Sequence, residues 1–107
     1  MEITQLDNEA LTALLAAEPD IQLVDVRTPE EYRILGHIPE ARLLPMHELP
    51  ARWTELDKTQ KTVVVCEHGV RSMDCAWYLK QHLGFASIYN LTRGMADWTG
   101  PREYEKE

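Results

Sequence analysis

The chain has 107 residues, with 11 lysines and arginines against 18 aspartates and glutamates, for a net charge of −7 at pH 7. Its composition, 44% hydrophobic and 27% charged, excludes a disordered chain and suits a single globular domain over residues 1–107 built around one core. No apolar run approaches the ~20 residues that span a bilayer, Met1-Glu2-Ile3-Thr4 is no export leader, and the acidic balance disfavours nucleic acid as a partner. The expectation is a soluble cytoplasmic protein with neither a membrane nor a nucleic-acid partner.

In chain order, Asp7 to Ala17 reads as a helix. Asp7 or Asn8 can cap it, and Ala10, Leu11, Leu14 and Leu15 recur at helical spacing. Glu18-Pro19-Asp20 stops it. Ile21 to Val26 is a short, branched apolar run that suits a buried strand. Thr28-Pro29-Glu30-Glu31 starts a helix, with Thr28 as cap, Pro29 in the first turn and acids on the positive end of the dipole. That helix ends by Gly36. Ala41 to Leu44 is a second short strand. A helix from about Met46 to Leu56 contains Pro50, which divides it into shorter pieces.

Thr62-Val63-Val64-Val65-Cys66 is the strongest strand signal in the chain. Gly69 marks a turn. Arg71 to Leu83 is predicted to be one helix, with Ser72, Ala76, Leu79 and Leu83 on one face and Gly84 at its C-terminal cap. Ser87 to Leu91 is the last strand, and Arg93 to Trp98 a short closing helix. Strands alternate with helices, so an α/β fold is expected, with a mostly parallel sheet covered on both faces.

Two cysteines, Cys66 and Cys75, are too few for a disulfide scaffold and form no Cys-x-x-Cys pair. The histidines, His37, His47, His68 and His82, lack zinc-ligand spacing. Neither a metal nor a cofactor is expected.

In a parallel α/β sheet, ligands gather at the C-terminal ends of the strands. Cys66 ends the best strand there, and Glu67-His68-Gly69-Val70 leads into a helix opened by Arg71. Free amides at the helix start and the Arg71 charge favour the nucleophilic thiolate. Gly69 lets the loop curl so that successive amides face one anion.

This segment resembles the active-site loop of rhodanese-like sulfurtransferases, whose pattern is Cys, two variable residues, Gly, one variable residue and Arg-Ser. Three more segments resemble that family in its own order. They are Leu23-Val24-Asp25-Val26-Arg27-Thr28-Pro29-Glu30-Glu31-Tyr32, Gly36-His37-Ile38-Pro39-Glu40-Ala41, and Asn90-Leu91-Thr92-Arg93-Gly94-Met95-Ala96-Asp97-Trp98. The resemblance implies a rhodanese-like three-layer fold around a mostly parallel five-stranded sheet, with helices on both faces. It implies a catalytic Cys66, and a substrate-binding loop made of Glu67, His68, Gly69, Val70 and Arg71. The implied reaction moves a sulfane sulfur from thiosulfate or another persulfide donor to an acceptor through a Cys66 persulfide. The donor is a small anion. The acceptor is cyanide, a thiol or a protein partner.

An alternative is a non-enzymatic persulfide carrier that serves a protein partner. A phosphatase or arsenate reductase is disfavoured, because related cysteine phosphatases use a loop one residue longer than the four residues between Cys66 and Arg71. Glu67 and His68 put an acid and a titratable group at the loop mouth, and Glu67 is expected to weaken binding of a dianion such as thiosulfate. Arg71 is expected to order the loop or hold the anion. Cys75, four residues after Arg71, reads as a core thiol, with a resolving cysteine as the sharper idea. Asp25 and Arg27 read as structural, His37 as a hydrogen-bonding turn residue, and Trp53, Trp77 and Trp98 as packing.

Overall fold

The computed structural model describes residues 3–105. Five parallel strands form one sheet in the order β1-β5-β4-β2-β3. They are β1 Thr4–Leu6, β2 Gln22–Asp25, β3 Arg42–Leu43, β4 Thr62–Val65 and β5 Ile88–Leu91. The helices are α1 Asn8–Ala17, α2 Pro29–Ile34, α3 Leu49–Arg52 and α4 Val70–Trp77. The expected α/β class holds, and so does the sheet covered on both faces.

Side-chain alternation along β4 builds the two cores. Val63 and Val65 join Leu6, Leu11, Leu23, Leu91, Met95 and Trp98 on the α1 side. Val64, and Cys66 just beyond the strand, join Leu49, Cys75, Ala76, Leu79 and Phe85 on the side of α3 and α4. The strand period therefore sends the Cys66 side chain toward α4.

Local signals act as read at both early helices. Asp7 caps α1 by accepting the Ala10 N–H at 2.8 Å. Thr28 and Glu31 form a reciprocal capping box on α2.

Three segments depart from expectation, and a fourth, 46–56, breaks into short pieces as expected. Three residues of β1, two of them exposed, carry too little periodicity to be read as a strand, yet they pair with β5 in register. The segment 46–56 resolves into a 3-10 turn at Met46–Glu48, α3 with Pro50 in its first turn, and a second 3-10 turn at Trp53–Glu55. The expected helix 71–83 begins at Val70 and widens into a π-helical segment at Tyr78–His82. Leu79 stays fully buried through that change. The closing helix is a single 3-10 turn, Met95–Asp97.

Candidate active site

Cys66 follows the central strand β4 and is 1% exposed. Its sulfur accepts the Gly69 N–H at 3.1 Å and the Ser72 N–H at 3.2 Å. Two backbone donors thus converge on one atom at the start of a helix, where negative charge is favoured. The Cys66 thiol is also 3.2 Å from the Ser72 hydroxyl, which donates in turn to the Asn90 side-chain oxygen.

The closing segment holds the loop from outside. The Met95 N–H donates to the Cys66 carbonyl at 2.7 Å and the Ala96 N–H to the Glu67 carbonyl at 2.9 Å. These bonds turn the 66–67 carbonyls away from the sulfur. Gly94 and Gly69 permit that approach. Both have positive φ, 72° and 89°. A Cβ on Gly94 would lie 2.4 Å from the Glu67 carbonyl oxygen, and one on Gly69 would lie 2.0 Å from that of Thr92.

The loop side chains go separate ways. His68 is exposed, and Val70 is 68% exposed at the head of α4. Glu67 does not stand free at the mouth as expected. Its carboxylate turns inward to accept from the fully buried Arg27 at 3.0 Å. Arg27 also binds Asp25 through Nε and Nη2, and donates to the Gly36 carbonyl. The like-charge repulsion expected of Glu67 is thereby offset by a buried guanidinium, which Glu67 shares with Asp25.

Arg71 forms a two-pronged pair with Glu31 on α2, each nitrogen to oxygen 2.9 Å. Hydrogen bonds from Arg71 hold the Glu31 carboxyl down at about 2. The Arg71 guanidinium is raised by the same hydrogen bond. Arg71 therefore ties the loop to α2 in this structure, and Glu31 competes with any anion for it. Sequence reasoning did not single out Glu31 for this role, because its partner lies 40 residues away.

Cys75 lies on the buried face of α4 and is 3% exposed. Burial pushes its thiol up to about 12, with the nearby Cys66 and Asp74 adding to the effect. A thiol held in that form is a poor nucleophile and resolver. His37 orders its turn as read: it stacks on Tyr32 with ring centres 3.7 Å apart, and its Nδ1 lies 3.1 Å from the Tyr32 carbonyl.

A cleft of about 510 Å³ lies beside the loop, lined by Val26, Thr28, Pro45, Met46, His47 and Arg71. Another cleft, of about 420 Å³, is lined by residues 17–21 and 59–61. It sits at the N-terminal ends of β2 and β4, away from Cys66. Among the described residues no cluster of histidine, cysteine and carboxylate side chains has a metal-binding arrangement, and no helix is long and apolar enough to cross a membrane.

Comparisons with known proteins place the chain in a family. The family described as "Rhodanese-like domain" matches residues 7–101. A protein named sulfurtransferase from Allochromatium vinosum is 40% identical over 96 residues, covering 90% of this chain and 88% of that protein. A thiosulfate sulfurtransferase of Pseudoalteromonas translucida is 32% identical over 89 residues, 83% of each chain. The crystal structure of a rhodanese-like domain protein from Staphylococcus aureus superposes with a TM-score of 0.85 at 31% identity, covering 97% of this chain and all of that one.

Proposed function

The chain belongs to the rhodanese-like domain family, and from that premise we propose that it is a sulfurtransferase that carries sulfane sulfur on Cys66. The observation that carries this reading is the convergence of the Gly69 and Ser72 amides on the Cys66 sulfur. Both donors are backbone groups fixed by the loop and by α4, so they need no reorganisation when charge appears.

In the first half-reaction the Cys66 thiolate attacks the outer sulfur of thiosulfate. A Cys66–S bond forms, the S–S bond of thiosulfate breaks, and sulfite leaves with the electron pair. In the second, cyanide or a thiolate attacks the outer persulfide sulfur, and the Cys66 thiolate leaves. The predicted kinetics are ping-pong. Gly69 supplies an amide, His68 and Val70 stand exposed at the mouth, Arg71 ties the loop to α2, and Glu67 turns inward to Arg27. The small loop, with four residues between Cys66 and Arg71, favours sulfur over a tetrahedral phosphate.

Intact-protein mass spectrometry after incubation with thiosulfate tests the reading. The expected result is gain of one sulfur atom, removed by cyanide and absent in Cys66→Ser. No gain from either thiosulfate or a small-molecule persulfide would overturn it. A stable adduct that turns over poorly on cyanide and small thiols would point instead to a persulfide carrier for a protein partner.

A further inference from the structure

Behind the Cys66 sulfur runs a chain of hydrogen bonds that sulfur transfer as described does not use. The Cys66 thiol donates to the Ser72 oxygen at 3.2 Å. The Ser72 hydroxyl donates to Asn90 Oδ1, and Asn90 Nδ2 donates to Gln5 Oε1 at 2.9 Å. Ser72 and Asn90 are 0% and 1% exposed, whereas Gln5 is exposed on the edge strand β1. The parallel pairing sets Gln5 directly opposite Asn90. Asn90 is also a polar side chain in an otherwise apolar strand, Ile88-Tyr89-Asn90-Leu91.

In this arrangement the only proton of the Ser72 hydroxyl is held by Asn90, which suits a protonated Cys66. A charged Cys66 sulfur presents the opposite demand, because it can only accept. We propose that Gln5 and Asn90 are positioning residues that let the Ser72 hydroxyl reverse its hydrogen bond when Cys66 changes charge. The thiol proton leaves to solvent, and the Ser72 O–H turns to the sulfur. The Asn90 carboxamide turns over, so that Nδ2 donates to the Ser72 oxygen. The Gln5 amide turns likewise, so that Nε2 donates to Asn90 Oδ1. No covalent bond changes in the relay itself.

Three hydrogen bonds stand before and three after, each with its direction reversed, and no buried polar group is left unpaired. A carboxamide at position 90 carries both a donor and an acceptor, so it can serve either direction. The bonds given up are peripheral: Gln5 Nε2 leaves the Ile3 carbonyl at 3.4 Å and the Met73 sulfur at 3.1 Å. The Thr92 hydroxyl, which donates to Gln5 at 3.1 Å, is exposed and can turn to water, and the Asn90 contact to the Gly69 carbonyl is long at 3.5 Å. The inference rests on Cys66 being the nucleophile, but its test reads thiol ionisation and not sulfur transfer. A failed mass-spectrometric test would therefore leave it standing or falling on its own.

The test is the pH dependence of Cys66 alkylation by iodoacetamide. Position 5 is exposed, so its variants spare the core. Gln5→Glu can only accept, which locks the resting direction, and should move the midpoint up by about one pH unit. Gln5→Lys can only donate, which locks the reversed direction, and should move it down by a similar amount. Both shifts should vanish in the Ser72→Ala background. Shifts that persist there would be a direct field effect of the new charge and would overturn the proposal, as would no shift at all. In the native chain the Asn90 side-chain amide resonances should titrate with the alkylation midpoint, and should stay still in Cys66→Ser. Resonances that do not follow the midpoint would equally overturn it.

Discussion

At the scale of the residue, Arg71 shows how one side chain can be claimed twice. It belongs to the loop motif, yet in the structure its guanidinium is spent on Glu31. Glutamine at position 31 would keep the reciprocal cap with Thr28 while removing the charge that competes for Arg71. Glu31→Gln is therefore expected to lower KM for thiosulfate several-fold, with kcat little changed, in a cyanide assay. The same carboxyl predicts a pH dependence. Its folded value of about 2 lies below its ordinary 4.5. The stability it contributes is fully present above pH 4.5 and is lost as pH falls toward 2. Urea unfolding across that window should show a slope that Glu31→Gln diminishes. Cys75, with its thiol pushed up to about 12, should resist alkylation at pH 8 in the folded chain while Cys66 reacts.

At the scale of the element, the active loop is held between the amide end of α4 and the closing 3-10 turn. Ordinary side chains do not fit at its two tight points. Gly94→Ala would set a Cβ 2.4 Å from the Glu67 carbonyl oxygen at a φ of 72°. The Met95 and Ala96 amides would then lose their hold on the 66–67 carbonyls. Persulfide formation should fall at least tenfold while the far-ultraviolet circular dichroism stays native. Unchanged sulfur uptake would show that the closing turn has no part in shaping the loop. The widening of α4 into π-helical turns is a structural finding for which the sequence offers no breaker: Tyr78 to His82 contains neither glycine nor proline.

At the scale of the whole molecule, Arg27 joins three separate pieces of chain. It binds Asp25 at the end of β2, the Gly36 carbonyl before the turn of His37, and Glu67 in the loop. Arg27 and Asp25 are both 0% exposed. Removing one partner of such a cluster strands a buried charge. Arg27→Leu should cost about 3–5 kcal/mol in chemical denaturation. It should also weaken sulfur uptake, since Glu67 loses its anchor. A loss under 1 kcal/mol would mean that water replaces the guanidinium at little cost.

Much of this protein was legible in the sequence because the signals were local. The Asp7 and Thr28 caps, the apolar run of β4 and the glycine between Cys66 and Arg71 each act over a few residues, so propensity and spacing are enough to read them. The family motifs pointed to Cys66 on the same grounds. The tertiary structure alone decided where the charged and polar side chains of the site point. Arg71 reaches Glu31 and Arg27 reaches Glu67 across 40 residues, and Asn90 reaches Gln5 across 85. Strand β1 was missed for a related reason, since three residues carry no period of their own and owe their conformation to pairing with β5. Hydrogen bonds and ion pairs are made between groups within about 3 Å in space, and separation along the chain says nothing of that distance until the sheet has brought its strands together.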